Sequence, residues 1–113
     1  KHVPLVKPDN SQIAYFPDGY RKKKTDTVSP RALKHIQELQ RIKKEEPETR
    51  TIMCYVIPRT KVETFEPNKG DPIYRDALKE AHKDGVEIIP LVVQWTRNGE
   101  CLFIRDDLPI DLI

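Results

Sequence analysis

Four cations stand side by side in YFPDGYRKKKTD: Arg21, Lys22, Lys23 and Lys24. Arg31, Lys34 and His35 follow shortly after, in SPRALKHIQEL. Like charges repel, so such a concentration needs either full solvation or a bound polyanion. Tyr15, Phe16 and Tyr20 flank the run, and aromatic rings beside cations suit stacking on exposed bases. Arg31, Lys34 and His35 fall in the first turns of a predicted helix, where free backbone N–H groups and the macrodipole already favour anions. Two readings stand: a solvated basic loop, or a phosphate-binding rim for nucleic acid.

Asp18, in FPDG, and Glu38, four residues beyond Lys34, are carboxylates that could support such a site. Asp18 also has a plain use as a turn-former before Gly19. It could equally orient a lysine or hold a metal-bound water, although one carboxylate does not build a two-metal hydrolytic centre. His2, His35 and His82 are too scattered for a metal site to be read from them, and His82 is expected on the exposed side of a helix. The sequence has no P-loop, dinucleotide fingerprint, nucleophile elbow or zinc-ligand spacing. Cys54 and Cys101 read as reduced core residues of buried strands rather than as a disulfide or metal site. That usage fits a reducing compartment, the cytoplasm or, in a eukaryotic cell, the nucleus.

The elements that would carry these residues alternate in type. His2–Val6 and Ile13–Phe16 are short and β-prone, separated by the turn chemistry of Pro8-Asp9-Asn10-Ser11, and predict a hairpin. Ser29-Pro30 marks a helix start, with Ala32, Leu33, Ile36, Leu39 and Ile42 as its apolar stripe. Thr51–Ile57 is a continuous apolar run that fits a strand covered on both faces, and Lys61–Phe65 adds a short extended piece. Asp71-Pro72 repeats the cap signal, and Gly85 supplies the stop. Residues 86–95 form the next strand, where Pro90 argues for an edge or a bulge. Arg97-Asn98-Gly99-Glu100 turns it back through Cys101–Ile104. The order β-β-α-β-α-β-β predicts an α/β fold, a mixed sheet flanked by helices.

With 113 residues the chain predicts a single domain, 1–113. No apolar run approaches the ~20 residues of a membrane span, and no signal peptide opens the chain, so no membrane partner is expected. The formal net charge is only +2, but it is unevenly spread. Residues 1–44 hold 11 Lys and Arg against 4 Asp and Glu, a balance of +7; residues 45–113 hold 9 against 14, a balance of −5. The first third therefore looks like the polyanion-facing end.

Beyond these physical signals, the sequence resembles the sugar fermentation stimulation proteins along essentially its whole length. KHVPLV, YFPDG, RALKHIQEL, FEP, YRDALKEAHKDGVEI and LPIDL occur in the collinear order of that family. The resemblance implies a two-part protein, with an OB-like N-terminal domain and a C-terminal nuclease domain of the PD-(D/E)xK, restriction-endonuclease-like type. This chain matches only the last part of that second domain. The N-terminal domain and the early nuclease strands are expected to be absent.

The resemblance also implies roles. Lys1 aligns with the lysine of the family's Glu-x-Lys motif and is the implied catalytic residue, stabilising the nucleophile or the developing charge. The Asp and Glu that would hold Mg²⁺ would fall upstream of residue 1, so no metal is expected within this chain alone. Arg31 matches the family's arginine, whereas Ala32 replaces a glycine. The segment YRKKKTD is an insertion relative to bacterial members, so its role rests on charge alone. With this placement the phosphate-binding rim becomes the preferred reading of Arg21–Lys24.

The expected function is thus the nucleic-acid-binding part of a metal-dependent DNA or RNA nuclease, with this fragment alone inactive. The alternative is a non-catalytic DNA-binding or regulatory module. Pairing with another copy or with the missing N-terminal half is a further expectation, because absent strands leave a sheet edge open.

Overall fold

The computed structural model describes residues 13–18 and 26–112. Seven elements follow in order: β1 (Ile13–Phe16), α1 (Pro30–Glu45), β2 (Ile52–Ile57), β3 (Thr64–Pro67), α2 (Pro72–Lys83), β4 (Glu87–Trp95) and β5 (Cys101–Arg105). The predicted strand at His2–Val6 lies outside the described residues. The α/β alternation holds, with strands both parallel and antiparallel. The extended piece sits slightly later than predicted, at Thr64–Pro67.

Both helices start as their caps dictate. Ser29 Oγ accepts from Ala32 N at 3.2 Å, Asp71 Oδ1 accepts from Tyr74 N at 3.1 Å, and a proline follows each cap. The end of α2 is equally local in origin. Gly85 takes φ +103°, Gly85 N donates to His82 O, and Val86 N donates to Ala81 O, the paired bonds of a glycine-terminated helix.

The described strands fall into two sheets rather than one. β2, β4 and β5 form one, in that order, with β2–β4 parallel and β4–β5 antiparallel. β1 and β3 pair in parallel as the other, and the far side of β3 is bridged by the tail. Phe65 N donates to Pro109 O, and Asp111 N donates to Phe65 O, both at 2.8 Å. LPIDL is therefore a structural segment, with Leu108 buried and Ile110 and Leu112 packed on the core.

Strand patterning departs from the expectation at two places. β2 buries Met53, Tyr55 and Ile57 on one face, but the opposite face is only partly covered and Ile52 is exposed. Its apolar continuity thus overstated its burial. Pro90 lies in β4 opposite Tyr55 of β2, before the β5 ladder begins at Val92. Among the described residues β4 has a neighbour on one side only at that point, so a missing N–H is tolerated. The predicted irregularity occurs two residues later, between Val92 and Val93, where Ile104 of β5 is the residue without a partner.

The two sheets and two helices close on one core. Tyr55, Tyr74, Phe65, Ile36, Ile57 and Leu78 are its largest fully buried side chains. Phe16 from β1 joins them, its ring centroid 5.3 Å from Tyr55 and 5.5 Å from Tyr74, and Tyr55 stacks on Phe65 at 4.6 Å. Each such side chain contributes about 1.5–3 kcal/mol by leaving water, so this cluster fixes where the end of β1 must sit. The cysteines are both free, but only Cys54 is partly buried; Cys101 is exposed, because β5 presents nearly all its side chains to solvent.

Candidate nucleic-acid interface

The stripe that buries Ala32 and Ile36 leaves the opposite side of α1 in water. Arg31, Lys34 and His35 all lie on that exposed side, as their spacing predicts. The first turn of α1 contains no acidic residue. Among the described residues neither Arg31 nor Lys34 enters an ion pair within 4.0 Å. Their charge therefore adds to the positive end of the helix instead of being cancelled.

Glu38 marks where this basic surface ends. Arg41 grips it through two nitrogens and reaches Glu45 Oε2 at 2.6 Å with a third. The Arg41 hydrogen bond is the main reason the Glu38 carboxyl is held below its usual range, with the charges of Arg41 and Lys34 adding to it. Glu38 is thus an ionised surface residue directed along the helix towards Arg41. His35, Glu38, Leu39 and Met53 also line a shallow cleft of about 330 Å³. His82, on the exposed face of α2, is a surface residue as predicted.

Asp18 is exposed at the end of the FPD turn, and its Oδ1 accepts a 3.0 Å hydrogen bond from the Tyr15 hydroxyl. Nearby, Glu66 is buried on β3 opposite Tyr15, with the Lys69 ammonium 3.7 Å from its Oε2. Lys1, Arg21, Lys22, Lys23 and Lys24 lie outside the described residues. Among the described residues no three His, Cys, Asp or Glu side chains come together as a metal site.

The segments on either side of residues 19–25 are held by one short connection, Asn68–Asp71, between β3 and α2. On the incoming side, Asn68 N donates to Phe16 O at 2.7 Å and its Nδ2 to Pro17 O at 2.8 Å. On the outgoing side, Asp71 Oδ2 accepts from Thr27 Oγ1 at 2.6 Å and from Val28 N at 2.8 Å. Asp71 is fully buried and simultaneously caps α2. Sequence reading found the cap, from Asp-Pro, but not the partners at Thr27 and Val28. Nothing local signals a contact across more than forty residues.

At the far end of α2 a second aspartate does the same for the body of α1. Asp84 Oδ2 accepts from Gln40 Nε2 at 2.6 Å and lies 3.3 Å from Lys44 Nζ. Thr27–Asp71 and Gln40–Asp84 are both 44 residues apart. A constant offset means that the two segments advance together, so α1 runs alongside α2 in the same direction. Both of its ends are braced by the carboxylates that flank α2.

Comparison with known proteins adds to this geometry. Residues 1–99 match the family model described as the sugar fermentation stimulation protein RE domain. A sugar fermentation stimulation protein homolog from Thermosynechococcus vestitus is 46% identical over 79 residues, covering 69% of this chain and 30% of that protein. The homolog from Crocosphaera subtropica is 38% identical over 100 residues, covering 88% of this chain and 36% of that protein. The chain thus spans well under half the length of the curated relatives it matches. The solved structure of Pyrococcus furiosus SfsA in complex with Ca²⁺ superposes with a TM-score of 0.76 at 28% identity, over 98% of this chain and 42% of that one.

Proposed function

The chain belongs to the sugar fermentation stimulation protein family, and from that premise we propose that it is the nucleic-acid-binding part of a metal-dependent nuclease. The partner would be DNA or RNA, gripped through its phosphates, and the complete protein would hydrolyse phosphodiester bonds. The observation that carries this reading is the exposed first half of α1. It offers Arg31, Lys34 and His35 at a positive helix end with no acidic residue before Glu38. Phosphate contacts of this kind grip a backbone without reading bases. Arg31 would bind a phosphate through two nitrogens, and Lys34 would act as a point charge.

The Arg21–Lys24 run is added to the phosphate-binding residues as a proposal from charge alone. Lys1 would be the catalytic lysine, and the core would be of the PD-(D/E)xK type. A divalent cation supplies an activated water in such chemistry. A related protein is described in complex with Ca²⁺. As the resemblance implies, the ligands would belong to the longer relatives' additional sequence, and a binding module without catalysis is the second reading.

One titration separates these readings. Binding to single- and double-stranded DNA and to RNA is followed across a salt series, with cleavage monitored with and without Mg²⁺. Affinity should fall steeply with salt. The Arg31→Ala/Lys34→Ala variant should lower the logarithmic slope by about 0.7–0.9 per lost contact. Salt-independent or variant-independent binding would refute the interface. Cleavage by a longer homologue but not by this chain supports the nuclease reading, and absence of cleavage in both supports the binding module.

A further inference from the structure

We propose that Asp71 and Asn68 are positioning residues for the nucleic-acid interface, a step that rests on the reading above. They would set the direction in which the N-terminus of α1 and its Arg31 face the bound strand. The inference is carried by the division of labour inside four residues. Asn68 holds Phe16 and Pro17 through its backbone N–H and its side-chain amide. Asp71 holds Thr27 and Val28 through one carboxylate oxygen while the other caps α2.

Val28 directly precedes the Ser29 cap of α1. The Asp71 carboxylate therefore fixes the backbone N–H of the residue just before the cap of the helix whose first turn carries Arg31. An aspartate that only capped α2 would need neither Thr27 nor Val28. This one is fully buried, and a buried carboxylate is tolerated when its oxygens are saturated by donors. Capping α2 and aiming α1 are thus performed by a single charge.

Asn68 extends the same argument to the preceding segment. Its Oδ1 accepts from Gly70 N at 2.9 Å, which shapes the connection that brings Asp71 back beneath Thr27. Both segments flanking residues 19–25 are therefore held by the connection between β3 and α2, more than forty residues away in sequence.

The test uses the whole chain and three variants. Thr27→Val removes one donor to Asp71 and leaves the α2 cap and the Val28 bond in place; Thr27→Ser restores the hydroxyl. Arg31→Ala/Lys34→Ala tests the interface itself. Each is measured for far-ultraviolet circular dichroism, melting temperature, affinity for single-stranded DNA and the slope of affinity against salt. Thr27→Val should stay folded, bind about fivefold more weakly and show a smaller salt slope, and Thr27→Ser should recover both. A purely structural role would lower the melting temperature and leave the slope unchanged in folded protein.

Wild-type affinity and slope in Thr27→Val, with weakened binding in Arg31→Ala/Lys34→Ala, would overturn the positioning role and leave the interface standing. Wild-type binding in Arg31→Ala/Lys34→Ala would overturn both. If Thr27→Val fails to fold, Asn68→Ser is judged on the same readouts. That variant deletes the side-chain bond to Pro17 O and keeps the backbone bond to Phe16 O.

Discussion

The hydroxyl groups of Tyr55 on β2 and Tyr74 on α2 meet in a hydrogen bond inside the core, where both side chains are fully enclosed. One hydroxyl donates to the other, and together they join the larger sheet to the helix that braces α1. Removing one hydroxyl strands its partner in an apolar setting, which costs about 1–3 kcal/mol. Removing both leaves two buried phenylalanines with nothing unpaired. Tyr55→Phe and Tyr74→Phe should therefore each destabilise, whereas the double variant should approach wild type. A double-mutant cycle by urea unfolding measures this, and additive losses would contradict the pairing.

The same pair sets the behaviour at alkaline pH. Burial, first of all, raises the Tyr55 hydroxyl well above its usual value, and it raises Tyr74 as well. The folded protein keeps protons that the unfolded chain releases near pH ~10, so stability must fall as pH rises beyond that point. Absorbance titration should show these two phenols ionising only with unfolding.

Acid acts through a different contact. Arg50 donates to Glu87 at 2.6 and 2.8 Å, tying the approach to β2 to the first residue of β4. This hydrogen bond holds the Glu87 carboxyl below its usual range. Its stabilising effect is present above the unfolded carboxylate value of about 4.3 and is lost as pH falls through the lower folded value. Arg50→Ala should flatten the melting-temperature curve on the acid side. Because both side chains are solvent-facing, added salt should shrink the difference.

Asp71 carries more than a cap. Asp71→Ala deletes the acceptor of the Thr27 hydroxyl, of Val28 N and of Tyr74 N, and should cost about 2–4 kcal/mol. Asp76→Ala, an exposed position on the same helix, should change stability by less than about 0.5 kcal/mol. Equal losses in the two variants by chemical denaturation would show that these three contacts of Asp71 add nothing to stability.

Trp95, the only tryptophan, is 55% exposed, and Phe103 on β5 is 64% exposed. Trp95 should emit at the long wavelength of a solvated indole, with little further red shift in urea. Phe103→Lys should leave stability within about 0.5 kcal/mol while raising solubility, since among the described residues β5 is an edge strand and a charge on an exposed apolar edge opposes self-pairing. A blue-shifted tryptophan that moves red on unfolding would show that this face is covered in solution.

Much of the architecture was readable because its causes are local. Ser29-Pro30, Asp71-Pro72 and Gly85 act on their own backbone within a few residues, so both helices begin where their caps stand and α2 ends where Gly85 stands. The Thr96–Glu100 hairpin, with Gly99 at φ +81°, is local in the same way. Burial was harder to read. The run IMCYVI is apolar throughout, yet only alternate residues are enclosed, because hydrophobicity permits burial without requiring a covering layer. Cys101 was misread as a core residue for the same reason.

The sequence by itself determined both helices and the strands β2, β4 and β5, and placed Arg31, Lys34 and His35 on one exposed face, since helical periodicity and capping act at short range. β3 as a full strand between β2 and α2 was absent from the order that the sequence predicts. Only the tertiary structure decided that the described strands divide between two sheets and that the tail pairs with one of them beside β3. It also decided that α1 lies parallel to α2 between Asp71 and Asp84. Those outcomes depend on which distant groups meet when the shared core closes, and a hydrogen bond spanning 44 residues leaves no periodic trace in the chain that makes it.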